Sequence, residues 1–468
     1  MPGPSPPELT GLAALRLGWQ FARDPVAAMR TAYETHGPLV VVGRVLPFIN
    51  HPSALLLGVP LILTAGAAFN VEVLNSSVWR SVSLLPGGPR NSAARRMNDN
   101  LTRMTGPRAA HYRRLINPSL RKPNVDAMGA MMTELTAEDI AAWPVDETID
   151  LGAYIYRLLR LITVELLFGG DKVLGYPISD MSVEMMERKW SANVMSLPIN
   201  LPITPYGQSL RVADELERAV IEWVERKRGR LNPQDLVSIL INSPGPDGNP
   251  ADSATVARTI PALVMMTSEA CQITLTWALI LMDQHPQVAQ ALLAELDDLS
   301  LSLDAVTALP YLDAVVKETM RILPPAPLQM RVAEEDTTLA GHAVPRRARI
   351  VLSAFMTNRV PDLYPEASRF LPERWSTINP TPFEYLAFSA GPRRCPGFQF
   401  GWNVMKIALA MIFKRYRVAL APGARIDYEV RPTLRPAGHV PATLHPQDGA
   451  FASAPIHGTL GDLVELAN

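Results

Sequence analysis

The sequence predicts a mainly α-helical protein with a small β lobe. Three observations carry that prediction. The stretch from Asp252 to about His285 reads as one long helix, apolar over much of its circumference at Ile260–Met266 and Ile273–Met282, as expected of a buried central helix. Around it, segments such as Leu151–Phe168 and Leu210–Arg228 repeat apolar residues at the helical period. Short β-branched runs, among them Pro38–Val45 and Pro60–Thr64, are few. Hydrophobic residues make up 48% and charged residues 19% of the 468, which allows a packed core and excludes global disorder. A net charge of −1 gives no basic excess for nucleic acid and no acidic solvating tail. At roughly 150 residues per domain the length suggests about three domains, yet no repeat, linker or clean boundary divides the chain. The 43 prolines are dispersed and read as helix punctuation, not as a low-complexity linker.

Taken in order, the Pro-rich start, Met1–Thr10, lacks a basic stretch followed by an apolar one, so no signal peptide is expected. The apolar run Ser53–Phe69 is broken by Gly58, Pro60 and Gly66 and falls short of the about 20 residues of a membrane span; it reads as buried strand or loop. Ala109–Leu120 is basic and helical. Leu151–Phe168 is closed by Gly169 and Gly170. Leu197–Gly207, with three prolines, is a loop, and Asn242–Pro250 a turn. Asp252 is a helix N-cap and Pro286 a stop for the long helix, which at 1.5 Å per residue spans roughly 48 Å; Pro261 inside it predicts a kink. Helices over Pro286–Asp298 and Tyr311–Arg321 follow, then short strands within Val332–Ile350 and a helix over Phe398–Tyr416.

Only two cysteines occur, Cys271 and Cys395, which excludes a disulfide framework or a cysteine zinc site and suits a reducing, cytoplasmic compartment. A single bridge between them would require suitable geometry. Cys395 lies in Phe388–Gly397, "FSAGPRRCPG", which satisfies F-x-x-G-x-R-x-C-x-G at Phe388, Gly391, Arg393, Cys395 and Gly397. A thiolate is a soft, electron-rich iron ligand that needs positive potential and backbone donors. A glycine-rich loop entering a helix N-terminus supplies both. Gly391 and Gly397 let the backbone approach a flat macrocycle, Phe388 can shield the sulfur, and Arg393 can pair with a haem propionate. Upstream, Glu318 and Arg321 in "KETMR" share a helix face, and "LPERW" offers Arg374. One carboxylate between two guanidiniums makes a buried bidentate network able to lock the loop.

With these motifs in this order the sequence resembles the cytochrome P-450 family, the haem-thiolate oxygenases, from about Thr31 to Pro446. "YRRLINPSL", "ITLTWALILMDQHP" and "NRVPDLYPEASRFLPERW" resemble further stretches of it. The resemblance implies a single mainly-α domain at 31–446, with a lead-in at 1–30 and an unassigned extension at 447–468. It implies haem b with Cys395 as axial iron ligand, Glu318, Arg321 and Arg374 as structural triad, and Arg113, Arg331 and Arg393 as propionate partners. It also implies a soluble, bacterial-type monomer without membrane anchor. Such a protein inserts one oxygen atom of dioxygen into a small apolar substrate, with electrons from a separate ferredoxin or flavoprotein reductase.

Two positions depart from the family pattern. Along the central helix the family's small-Gly-x-acid-Thr corresponds to Met266, Thr267, Ser268, Glu269 and Ala270. The acid is present as Glu269; the Thr whose hydroxyl supports proton delivery is Ala270. A substrate hydroxyl or ordered water could replace it. Thr267 or Ser268 could stand in through a locally rewound helix. Or the enzyme uses peroxide, or rearranges or couples an already oxidised substrate. A haem-binding sensor or carrier is the reading from outside catalysis. The second departure is Ala109, where the family often has an aromatic or His partner for Arg113; His111 should point elsewhere. Cys271 reads as a small buried hydrophobe, Met265 and Met266 as core or pocket lining, and Arg394 with Lys406 as a docking surface or a solvated face. The Leu197–Gly207 loop is a candidate gate, or a membrane contact.

Overall fold

The structure, a computed structural model, describes residues 6–43, 60–82, 88–100, 104, 106–191, 194, 199–228, 235–244, 248, 252–297 and 302–466. It is mainly helical with minor sheet, as the sequence predicts, and the described residues form four sheets. The central helix is Ser253–Gln284. Asp252 caps it: one carboxylate oxygen accepts from the Thr255 N–H at 2.6 Å and the other from the Thr255 hydroxyl at 2.8 Å. Pro261 lies inside the helix, which continues through it. The helices Leu151–Phe168, Lys172–Trp190, Pro205–Lys227 and Phe398–Arg415 pack around it. By length and composition the central helix could cross a membrane, yet 67% of its most apolar window is buried inside the protein. Its Trp277 is fully buried and donates its indole N–H to the Leu434 carbonyl at 3.0 Å.

Leu151–Phe168 has the predicted bounds, and its closing Gly169 takes a left-handed conformation (φ 60°) that returns its N–H to the Glu165 carbonyl. Other bounds differ for local reasons. The helix expected from Leu210 begins at Pro205, because Thr204 caps it through the Gly207 N–H at 3.1 Å and Pro205 sits in the first turn, where its missing N–H costs nothing. The proline-rich stretch is therefore partly helix. The run ending at Phe69 is strand at Leu61–Thr64 and then helix from Ala67, the two separated at Gly66 (φ 110°). The helix expected over Ala109–Leu120 spans Gly106–Ile116 and gives way to turns. A helix hidden from the periodicity, Lys172–Trp190, carries Pro177 near its start, where Asp171 caps the Leu174 N–H at 3.3 Å. Positions 44–59, 195–198, 245–247 and 249–250, on which parts of the Pro38–Val45, Ser53–Phe69, Leu197–Gly207 and Asn242–Pro250 readings fall, lie outside the described residues.

The largest sheet has six strands in the spatial order Glu8–Leu9, Leu39–Val42, Leu61–Thr64, Arg349–Ser353, Leu328–Ala333, Trp79–Ser81. Tyr416–Leu420, Pro441–Pro446 and Thr148–Asp150 form a second sheet. The hairpin Asp427–Val430/Leu434–Ala437 reaches the central helix. Beyond Pro446 the tail packs onto the core: Phe451 stacks on Phe413 at 5.8 Å, Leu460, Leu463 and Val464 are buried, and the Leu463 carbonyl accepts from Arg359 at 3.1 Å.

Glu318 and Arg321 are fully buried on the Pro310–Ile322 helix. The Glu318 carboxylate accepts from Arg321 Nε and Nη2 (both 2.9 Å), Arg374 Nε (3.0 Å), the Leu371 N–H (3.0 Å) and Trp375 Nε1 (3.0 Å). Arg321 in turn donates to the carbonyls of Asn358, Ala367 and Arg369, and Arg374 to those of Pro365 and Glu366. The network ties one helix to the extended segment that leads to Cys395. Glu318→Ala leaves two buried guanidiniums without their counter-charge, and we expect a loss of about 3–5 kcal/mol in urea unfolding. A loss under about 1 kcal/mol contradicts this role.

Candidate active site

The cysteine sits between a short 3-10 turn, Gly391–Arg393, and the helix Phe398–Arg415. Its N–H donates to the Phe388 carbonyl at 2.9 Å. Burial pushes the Cys395 thiol up; the Gly397 N–H and the charges of Arg113 and Arg394 pull it the other way. Gly391 (φ 66°) is required by crowding: a Cβ there would lie 2.8 Å from the Asn75 amide oxygen and 2.9 Å from the Leu74 carbonyl. A Cβ on Gly397 would reach no closer than 4.0 Å to the Cys395 sulfur. Phe388 packs edge-on against Phe398 (4.8 Å) and Trp402 (5.7 Å), building an aromatic wall beside the cysteine. The Arg394 guanidinium lies over Phe398 at 4.6 Å.

A cavity of about 900 Å³ joins Cys395 to the central helix. Met265, Met266, Thr267, Glu269 and Ala270 line it from that helix, and Arg113, Arg331 and Arg393 line it as well. Arg331 is 8% exposed; burial first, then the charge of Arg393, lowers its guanidinium to about 10. It donates to the Gln329 amide oxygen (3.2 Å) and the Met330 carbonyl (3.1 Å). Arg113 donates to the carbonyls of Pro392 (3.2 Å) and Arg394 (3.4 Å), and Arg393 to that of Met104 (3.0 Å). Among the described residues no carboxylate forms an ion pair with Arg331 or Arg113. Arg331 and Arg113, each repelled by Arg393 and neither paired with a carboxylate among the described residues, make a place for an anion. Gln329, which the sequence reading missed, orients Arg331 and also accepts from the Ser389 hydroxyl at 2.9 Å. The usable signal was strand alternation, since Gln329 and Arg331 share a face. His111 turns away to the Pro244 carbonyl (2.8 Å), and Ala109 is buried.

On the central helix the Thr267 hydroxyl donates to the Leu263 carbonyl at 2.7 Å and the Ser268 hydroxyl to that of Val264 at 3.0 Å. The helix is continuous through these residues, and Ser268 is buried. Glu269 instead reaches across to the hairpin: its carboxylate accepts from the Thr433 hydroxyl at 2.9 Å. Burial raises the Glu269 pKa, against the opposing pulls of Thr433 and Arg435. Thr433 was missed because nothing local links it to residue 269. Cys271 and Cys395 are both free thiols. Cys271 is buried against Gly401, its thiol pushed up to about 12. Lys406 is not on a docking surface: it is 1% exposed and donates to the Thr307 carbonyl (2.8 Å) and Asp313 (3.2 Å). Arg394 is exposed.

Residues 86–437 match the family model for cytochrome P450. The chain belongs to the cytochrome P450 family. It is 27% identical over 353 residues to the cyclooctat-9-en-7-ol 5-monooxygenase of Streptomyces melanosporofaciens, covering 73% of this chain and 77% of that protein. It is 28% identical over 304 residues to a putative cytochrome P450 120 of Synechocystis, covering 62% and 67%. The fold is similar to that of retinoic acid-bound cyanobacterial CYP120A1, with a TM-score of 0.80 over 95% of this chain and 99% of that one at 21% identity. The protein is thus a haem-thiolate monooxygenase whose cofactor is haem b. The donor set fits that group: one cysteine sulfur and three arginines face a single cavity without a carboxylate partner for Arg331 or Arg113. If Arg331 holds a propionate, Arg331→Gln should speed haem loss to apomyoglobin by about tenfold, the loss of one charge-assisted pair. An unchanged transfer rate contradicts it.

Proposed function

We propose that the protein inserts one oxygen atom of dioxygen into a small, largely apolar substrate, with electrons from a separate ferredoxin or flavoprotein reductase. The observation that carries this reading is the single cavity shared by Cys395 and the Glu269–Ala270 stretch of the central helix. In it, Cys395 would hold the haem iron, Phe388, Gly391 and Gly397 would shape the cysteine loop, and Arg113, Arg331 and Arg393 would hold the propionates. Glu318, Arg321 and Arg374 act as the structural triad. Bound haem supplies the activation of dioxygen. The relative named as a cyclooctat-9-en-7-ol monooxygenase and the neighbour bound to retinoic acid support a compact apolar body carrying an oxygen function. The reading takes 31–446 as one haem-thiolate domain between a lead-in, 1–30, and an extension, 447–468, in a cytoplasmic monomer.

Proton delivery in this reading falls to Glu269. Ala270 has no hydroxyl to offer, and those of Thr267 and Ser268 are donated to their own helix. A carboxyl with a raised pKa holds a proton to higher pH than a free one, so Glu269 can donate nearer neutrality. A substrate hydroxyl or ordered water bridges the gap at Ala270. Glu269→Gln should cut product formed per electron pair by about two orders of magnitude while substrate binding persists. Undiminished coupling contradicts this role.

Ala270 also favours a second reading, a peroxide-using or non-reductive haem-thiolate enzyme. Turnover with peroxide, and none with any electron-donor chain, would establish it. The monooxygenase reading itself is tested by the reduced protein with carbon monoxide. It predicts the far-red-shifted Soret band of thiolate-ligated haem and donor-dependent oxidation of apolar ligands. A band at the histidine-ligated position overturns it. Tight ligand binding with no oxidation under any oxidant leaves a sensor or carrier.

A further inference from the structure

Arg349 lies on the cavity wall outside both the cysteine loop and the arginine cluster. Arg349 opens the strand Arg349–Ser353, is half-buried and lines the cavity. Among the described residues its guanidinium has no hydrogen-bond or ion-pair partner. Burial lowers its pKa, with no charged neighbour contributing. By contrast, Arg80, which lines the same cavity, is paired with Glu334 at 2.6 Å.

Strand register separates Arg349 from the propionate arginines. Arg331 is opposite Ile350, whereas Arg349 is opposite Val332 and Val351 is opposite Met330. Directly opposed residues share a sheet face and successive residues alternate. Arg349 and Val351 therefore project from one face and Arg331 from the other. Val351 and Met330, on the face of Arg349, also line the cavity. Arg349 is thus a planar five-donor cation at one end of an apolar strip. Holding such a group half-desolvated without a counter-charge is unfavourable unless a ligand supplies one. The guanidinium fork matches a carboxylate in two-pronged geometry.

We propose that Arg349 anchors the substrate's head: the ligand is an apolar carboxylic acid whose carboxylate pairs with this guanidinium while its body lies along Val351 and Met330. This rests on the reading of the cavity as the oxidation site, which it deepens by naming the substrate class. Anchoring one end fixes which carbons reach the reacting centre, so Arg349 is a specificity determinant and not a catalytic residue.

The test uses the purified holoprotein and a panel of linear and terpenoid carboxylic acids, each with its methyl ester, read by the ligand-induced Soret shift. Wild type should bind the best acid at least about tenfold more tightly than its ester, and the preference should shrink as salt rises. Arg349→Gln should weaken the acid by about tenfold or more and the ester little, whereas Arg349→Lys should retain part of the preference. Equal affinities for acids and esters in wild type, or an acid affinity untouched by Arg349→Gln, overturn the proposal. The carbon monoxide spectrum of the variant distinguishes this from failure of the underlying reading. A thiolate-type band with no acid preference sinks the anchor alone; a histidine-type band in wild type sinks the oxidation site itself.

Discussion

A cysteine sulfur held where burial alone would keep it protonated is the constraint on which the rest of the structure depends. Cys395 can serve as a soft anionic ligand only if its surroundings offset the cost of desolvation. The chain supplies the Gly397 N–H, the nearby charges of Arg113 and Arg394, and the start of the Phe398–Arg415 helix. It also supplies rigidity. The Phe388 carbonyl fixes the Cys395 N–H, crowding admits only glycine at 391, and the Glu318 network clamps the segment leading in. Each of these would be an odd expense for an inert buried thiol; Cys271, with none of them, shows what such a thiol looks like here.

The central helix answers the opposite need. Its outer faces are apolar and packed, and its polar side chains near the cavity are mostly satisfied internally, as at Thr267 and Ser268. The exception is Glu269, which is held by Thr433 from a hairpin far away in sequence. Hairpin and central helix thereby become one unit, and the position of this half-buried acid depends on a hairpin that also borders the cavity through Val430 and Pro432. The tail beyond Pro446 also packs onto the core, through Phe451 and Leu460.

Much of this was legible without coordinates because the signals are local. The cysteine loop is ten contiguous residues, Glu318 and Arg321 are one helical turn apart, and Asp252 and Gly169 mark helix ends by their own chemistry. What escaped is long-range or masked. Gln329 and Thr433 matter through partners set by strand register and hairpin placement. Lys172–Trp190 was hidden by Gly175 and Pro177. Lys406 looked like surface in a basic helix and proved buried against Asp313, because the face a helix buries is decided by its neighbours. Arg349 sat unnoticed among the arginines of "PRRARI" until the sheet register gave it a face.

Iron-edge X-ray absorption on the ferric protein addresses the central claim most directly. The account predicts one sulfur scatterer bonded to the iron in the wild type and none in Cys395→Ser. A wild-type iron with only nitrogen and oxygen neighbours, or a sulfur that persists in the variant, contradicts it.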